Sequence, residues 1–538
     1  MSTSEHRRGA AVAAAGTALS RITGLVRLAA TTFALGVTES RLADTYNLAN
    51  TTPTMIHELI IGGILSSVLL RFYIEVKTKE GEEEGLLFIR RVTNATLLVL
   101  AGATLLVVLA SPLIFKLYSL RARGPERQAQ QVVGTLLLQL FAPQILFYGL
   151  SYISTAILNA HRRFGMPMFA PVLNNLAVSA TLVAFALTVP RSMRSAELIP
   201  STGILLLGIG TTAGVALQGV APFVYLRRIG LRLPRRAGFR DRRFKRLLSM
   251  SSFMAGYVVT NMVGLWIALF LANRVQGGTS AYQYAFVFFQ LPHGLLAVSI
   301  VTAIFPSLTE RAVGGDLRGF ARELSNGLRG VAFFIVPAVA GYLAVAPQLV
   351  TLLLEHGITT SASTDLIALV LRTWAPGIFF FSTFYVLLRA FYAMGDTRTP
   401  MLVNGVGFVV NVILDIAAFA VFDDPSLQVA GLAAGHAASY LVASTLALRI
   451  IVRRVGREAV AGWGPTLVKV VAASGLTGLG AWGAGRIFAS VVEVSSFPAQ
   501  LGQVLVATAA GLLIYAGTAK ALRLEEMQWI YTIATRRR

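Results

Sequence analysis

About fourteen apolar blocks, each long enough to cross a lipid bilayer, follow one another along the chain with short loops between most of them. A hydrocarbon core of about 30 Å needs roughly 20 apolar residues in a helix. Inside it every backbone polar group must be paired within the protein, which a continuous apolar helix achieves by itself. The blocks predict helices near 10–36, 50–76, 88–118, 131–159, 166–189, 201–226, 246–273, 281–308, 325–354, 363–394, 399–422, 428–454, 464–491 and 499–522. The fold class is therefore an all-α polytopic membrane protein. Composition agrees: 13% of residues are charged, against about 25% in soluble domains.

Several chemistries drop out early. The 538 residues contain no cysteine, which removes disulfides, thiolate metal sites and thiol catalysis. Six histidines are scattered, with none paired at metal-ligand spacing. No G-x-x-x-x-G-K-[ST] phosphate loop is present, so ATP is not the expected energy source. No Ser/His/Asp or paired-carboxylate set stands on the short loops, and no signal-peptide pattern opens the chain.

The formal charge of +22 would suggest nucleic acid on a soluble protein. On a membrane protein, basic residues collect in cytoplasmic loops, and no nucleic-acid partner is expected. The segment 227–246, RRIGLRLPRRAGFRDRRFKR, carries ten Lys/Arg and one Asp between the sixth and seventh blocks. NAHRRFG, RIIVRRVGRE and the terminal ATRRR fall on the same side. Both termini are thus expected in the cytoplasm, although the loops around Arg121–Arg127 and Arg191–Arg194 on the other side are mildly basic.

Residues 158–175 (LNAHRRFGMPMFAPVLNN) and 388–406 (LRAFYAMGDTRTPMLVNGV) share a pattern about 230 residues apart. Each leaves a helix through Leu-x-Ala, passes a Gly and enters the next helix at Pro-Met. The spacing predicts two six-helix lobes, 1–226 and 247–456, joined by the basic linker 227–246. Residues 457–538, with the last two helices, stand outside the repeat. An even helix number per lobe inserts both copies the same way up.

The first helix carries Arg21 after only about 12 apolar residues, with Arg27 about 9 Å further along. Each guanidinium costs roughly 2.5–3.5 kcal/mol if it faces lipid. They are expected to face water or an anion, and arginine suits phosphate and carboxylate because its planar fork binds both oxygens. The second helix carries His57, Glu58 and Arg71, with Asp44 just before it on the outer side and Pro53 free to kink or begin it. Gly24 and the pair Gly62 and Gly63 read as hinge positions. Arg372 and Arg389 are further charges inside apolar runs, while Lys469 and Arg486 read as interfacial anchors. In the eleventh helix Asn411 and Asp415 share a face at four-residue spacing. Two readings stay open for Asp415: a structural, neutral or Arg-paired carboxyl, or a sodium site with Asn411 and Asn261 of the seventh helix.

SRITGLVR (20–27), LGVTESRLADTYNLANTTP (35–53) and ELIIGGILSSV (58–68) together resemble the opening of the lipid II flippases of the MurJ (MviN) family. That family sits within the multidrug/oligosaccharidyl-lipid/polysaccharide exporter (MOP) superfamily. YQYAFVFFQLPHGLLAVSIVTAIFPSLTER (282–311) and RAFYAMGDTRTP (389–400) resemble further signatures. The resemblance implies two lobes in a V around a cationic cavity, and a groove for a polyprenyl tail along the last two helices. It implies transport rather than an enzyme: lipid II crosses the bacterial inner membrane by alternating access for peptidoglycan synthesis. Arg21, Arg27 and Asp44 fall on its cavity positions. The chain departs from the family pattern where His57 and Glu58 replace an Arg pair, Gly62 a Glu, Val287 an Arg and Leu28 an Asp. Arg372 or Arg389 would then supply substitute charge. The expected substrate site is Arg21, Arg27, Asp44, His57, Glu58, Arg372 and Arg389. No cofactor is expected, and membrane potential, sodium or protons would drive the cycle. Lipid II, membrane lipids and cell-wall synthesis or division proteins are the implied partners.

Two rivals stay open at this stage. An exporter of another polyprenyl-linked glycan, or of drugs, would share the fold, though a drug exporter should prefer cations. A membrane glycosyltransferase would need a carboxylate cluster at a membrane face, and none is apparent.

Overall fold

The computed structural model describes residues 3–64, 81–120, 124–161, 163, 165–228 and 242–527, and among them every regular element is a helix. The basic linker from 229 to 241, Arg71 and the tail from 528 lie outside the described residues. The helices are α1 (Thr3–Leu35), α2 (Leu42–Ile64), α3 (Glu82–Tyr118), α4 (Gly124–Phe141), α5 (Gln144–Ala160), α6 (Gly165–Thr188), α7 (Ser201–Arg228) and α8 (Arg242–Ala272). They continue as α9 (Gly278–Pro292), α10 (Val298–Val313), α11 (Leu317–Leu354), α12 (Ser361–Ala393), α13 (Arg398–Val421), α14 (Pro425–Val455), α15 (Trp463–Val491) and α16 (Phe497–Ala521).

Thirteen stretches among the described residues are long and apolar enough to cross a membrane. The α4–α5 pair counts as one stretch, as does α9–α10. The described part of α2, which falls short of that hydropathy, is the fourteenth expected passage. The chain is a multi-pass membrane protein.

Three local departures from the sequence expectation have physical causes. α2 begins at Leu42 rather than near 50, so Asp44 lies inside its first turn instead of before it, and Pro53 is inside the helix. An acidic residue in a first turn suits the positive end of the helix dipole. The fourth passage breaks at Ala142–Pro143, where proline withholds an N–H. The eighth is interrupted after Pro292 by a π-turn, His293–Ala297.

The chain packs as two units. The first takes Met1–Ser280 with His356–Thr360, and the second takes Ala281–Glu355 with Ser361–Arg538. The division by packing thus follows α8, whereas the repeat spacing sets the two lobes on either side of the linker 227–246. α8 packs along α2, which keeps it with the first unit. Within that unit α6 lies between α1 and α7, and α5 packs on α7. Within the second, α14 lies against α12 and α13, and α11 carries α12 on one side and α15 on another. The two repeat segments start their helices alike: Pro167 and Pro400 each stand third in α6 and α13. Proline is tolerated there because the first turn has no intrahelical partner for its missing N–H.

α15 and α16 pack on each other and on α11. Val470 and Ala473 join Phe333, Tyr515 and Ala519 in one apolar cluster, and the Tyr515 hydroxyl donates to the Phe333 carbonyl at 2.6 Å. Their outer faces are apolar and open, with Val468, Leu479, Ile487, Leu512 and Leu513 all exposed. That is the surface a lipid-facing helix presents.

Candidate functional site

α1 is held by α6. Asn175 Nδ2 donates to the Ser20 carbonyl at 3.2 Å and to Thr23 Oγ1 at 3.1 Å, on either side of Arg21. Ile22, Val26 and Phe33 form the open face of α1, while Arg21 and Arg27 are both half-buried. Six residues place the two arginines about 120° apart around the helix, so they flank its buried face. Neither forms an ion pair with a carboxylate among the described residues. Arg27 lies beside the buried Tyr46 hydroxyl of α2, which also meets Thr211 Oγ1 at 2.9 Å. A Cβ at Gly24 would meet only Asn175 Nδ2, at an ordinary 3.7 Å. Gly62 and Gly63 lie in the last turn of described α2.

Asp44 is fully buried. Its carboxylate accepts from the Gly277 N–H at 2.7 Å and from the N–H and hydroxyl of Ser280 at 2.9 and 2.8 Å. Asn47 Nδ2 donates to the same hydroxyl at 2.9 Å. Nearby, Arg41 donates to the Asn273 carbonyl at 2.7 Å, and Gln276 Nε2 donates to the Thr38 carbonyl at 2.7 Å. These bonds join residues 38–47 to residues 273–280 within the first unit. Asp44 is thus a latch in this conformation, with its acceptors taken by the protein's own donors. The sequence expectation missed Tyr46, Gly277 and Ser280, because a hydropathy scan passes over polar residues that pair with each other.

His57 packs its ring on Tyr148 at 5.6 Å, and its Nε2 is buried without a hydrogen-bond partner. Glu58, next to it, is exposed. The Arg372 and Arg389 side chains each hold a buried Nε without a partner. Both belong to α12, in the second unit. Arg389 donates to the Tyr385 hydroxyl at 3.0 Å and stands over the Phe305 ring at 5.9 Å.

Asn411 Nδ2 donates to Asp415 Oδ1 at 2.8 Å. Asp415 is fully buried, and its other oxygen, Oδ2, has no partner. A Cβ on Gly435 of α14 would meet Asp415 Oδ1 at 2.6 Å and Asn411 Nδ2 at 3.3 Å, so only glycine leaves the pair its space. Asn261 stands in the first unit, its amide bonded to the Tyr257 carbonyl of its own helix at 3.0 Å. Among the described residues no three His, Cys, Asp or Glu side chains cluster as a metal site would require.

The fold defines a polytopic membrane protein, and Arg21, Arg27, Arg372 and Arg389 set cationic groups within its helices. Comparison with known proteins narrows this further. The family model described as "Lipid II flippase MurJ" matches residues 33–502. This chain belongs to that family. A "Probable lipid II flippase MurJ" of Synechocystis sp. is 24% identical over 510 residues, covering 94% of this chain and 92% of its own. One of Rhizobium meliloti is 27% identical over 442 residues, covering 80% and 78%. Among solved structures, "Lipid II flippase MurJ, inward closed conformation" aligns with a TM-score of 0.73 at 21% identity, covering 95% of this chain and 99% of that one. An inward-facing multidrug resistance MATE family transporter of the MOP superfamily aligns at 0.61 with 14% identity, covering 80% and 95%.

Proposed function

We infer that this protein is a lipid II flippase of the bacterial inner membrane. It moves undecaprenyl-diphosphate-linked disaccharide-pentapeptide from the cytoplasmic to the outer leaflet by alternating access, for peptidoglycan synthesis. The observation that carries the reading is the pair Arg21 and Arg27: two half-buried guanidiniums on a membrane-crossing helix, with no carboxylate partner among the described residues. A diphosphate supplies the charge they lack, and the fork of each takes two phosphate oxygens. A drug exporter selecting cations would gain nothing from them. The family match over 33–502 supports the same reading. Both termini lie in the cytoplasm, in keeping with the Lys/Arg asymmetry of the loops. Arg372 and Arg389 serve as further anion contacts, and the open apolar faces of α15 and α16 serve the polyprenyl tail.

Coupling to sodium or protons is part of this proposal. Asp415 Oδ2, buried and unpartnered beside Asn411, fits one ligand of a small cation. Asp415 and Asn411 would hold it, and it would neutralise the buried carboxylate. The deciding experiment is transport of labelled lipid II in proteoliposomes, against a polyprenyl-linked sugar of different glycan. Protein-dependent flipping of lipid II over the other lipid is expected. Equal flipping of both, or none, would overturn the assignment.

A further inference from the structure

A cavity of about 780 Å³ opens where α14 ends and α15 begins, lined by Arg449, Arg453 and Arg457, by Trp463, and by the apolar Val452 and Pro465. Arg449 and Arg453 are four residues apart on α14 and therefore share a face. α14 stops at Gly456, whose φ of +92° favours a residue without a side chain. The turn Arg457–Val460 follows and adds Arg457 to the same wall.

The three arginines are exposed and make no ion pair among the described residues. Their neighbour Arg454 points elsewhere and pairs with Asp396 at 2.6 Å. Glu458 is exposed in the same turn but does not line the cavity. Three unneutralised guanidiniums around one space repel one another unless an anion joins them. A second, independent observation points the same way. The Trp463 indole nitrogen is buried and has no hydrogen-bond partner. Buried donors are normally satisfied, and Trp463 is one of the residues that line this cavity.

We propose that this cavity binds the phosphodiester headgroup of an anionic membrane lipid, its acyl chains lying along Val452 and Pro465. The arginines and the Trp463 N–H take the phosphate oxygens, and the apolar wall takes the start of the chains. The site stands at the end of a membrane-crossing helix, where aromatic and basic anchors meet the interface. A soluble phosphate would use the arginines and leave the apolar wall wet, so the lipid is the better occupant. The leaflet, cytoplasmic, rests on the orientation given above. The site itself does not rest on the transported substrate.

The test is native mass spectrometry of the full-length protein, with phosphatidylglycerol and phosphatidylcholine of matched chains as probes. The wild type is expected to retain phosphatidylglycerol in preference. Arg453→Gln should weaken that retention about fivefold, and the triple change of Arg449, Arg453 and Arg457 to Gln about a hundredfold. Trp463→Phe should weaken it as well, and Arg454→Gln should not. Unchanged retention in Arg453→Gln and Trp463→Phe overturns the site even if the triple variant fails to fold. Equal retention of both lipids by the wild type, or displacement by millimolar inorganic phosphate, overturns the choice of a lipid. None of these readouts involves lipid II, so the flippase reading can fail while this one stands.

Discussion

Asp44 accepts both the backbone N–H and the hydroxyl of Ser280, at 2.9 and 2.8 Å, on a side chain with no solvent exposure. One carboxylate thereby fastens the start of α2 to residues 277–280, where α9 begins. Asp44→Ala leaves three buried donors, including the Gly277 N–H, without an acceptor. We expect a loss on the order of 3 kcal/mol, since charge-assisted bonds are the strong ones. Ser280→Ala, which keeps both backbone bonds, should cost about 1 kcal/mol. Denaturation of the detergent-purified protein measures both, and equal costs would show that the hydroxyl, not the carboxylate, organises the latch.

Arg21→Ala and Arg27→Ala are expected to abolish lipid II transport with the fold intact. Lysine should rescue poorly at either position, because an ammonium lacks the planar fork. The measurements are proteoliposome transport and a melting curve for each variant. Unfolding of both alanine variants would assign the arginines to structure.

Arg329 of α11 is held at 2.6 Å by Glu525 and at 2.6 Å by Glu526, which follow α16. Glu526 is fully buried. Arg329→Ala strands that buried carboxylate, and breaking such a pair costs roughly 3–5 kcal/mol. Arg329→Met combined with Glu526→Leu should recover most of the loss, which a melting series over the single and double variants would reveal. Deleting 464–522 should leave α1–α14 folded and impair lipid handling. Full complementation of a flippase-depleted strain by the truncated chain would disprove the tail-binding role of α15 and α16.

Asp396, in the loop between α12 and α13, supplies a pH dependence. Burial draws its carboxyl upward, but bonds from Thr399 and the Arg454 guanidinium outweigh it and hold the group below its ordinary value of 3.8. A depressed carboxylate contributes stability above the unfolded value, and the contribution fades as pH falls through the folded one. We expect the melting temperature to drop as pH falls below about 4, and the slope there to flatten in Arg454→Gln. An identical slope in that variant would place the acid sensitivity in another carboxylate.

Much of the membrane architecture could be read from the chain because lipid-facing surface must be apolar wherever it lies. Leu479, Ile487 and Leu513 announce their helices for that reason. The early start of α2 escaped the same reading. Asp44, Thr45 and Asn47 are buried by protein and satisfied by it, so their polarity carries no cost that a hydropathy scan could register. The same limit hid the partners of the charges. Arg21 and Asp415 stood out as charges in apolar runs, but the Asp44–Ser280 bond spans more than two hundred positions and has no local signature. The grouping by packing departs from the linker 227–246 for a related reason. Charge marks a loop, whereas the packing of α8 along α2 decides which unit it joins.

The eleventh-passage helix, α13, carries the remaining prediction. Asn411 donates to one oxygen of the buried Asp415, and the other oxygen is bare. Gly435 keeps the space beside them open. A carboxyl in this position is either neutral or matched by a cation, because a lone buried charge is too costly. Sodium bound to the native state stabilises it by mass action, by about 2.7 kcal/mol at a hundredfold excess over its dissociation constant. The measurement is a melting curve in sodium against potassium at equal ionic strength, for the wild type and Asp415→Asn. We expect sodium to raise the wild-type transition and leave the variant unmoved. Gly435→Ala, whose methyl would press on Asp415 and Asn411, should weaken the sodium response while keeping the carboxylate. A wild-type transition indifferent to sodium removes the cation site and leaves Asp415 as a protonated group of the α13–α14 contact.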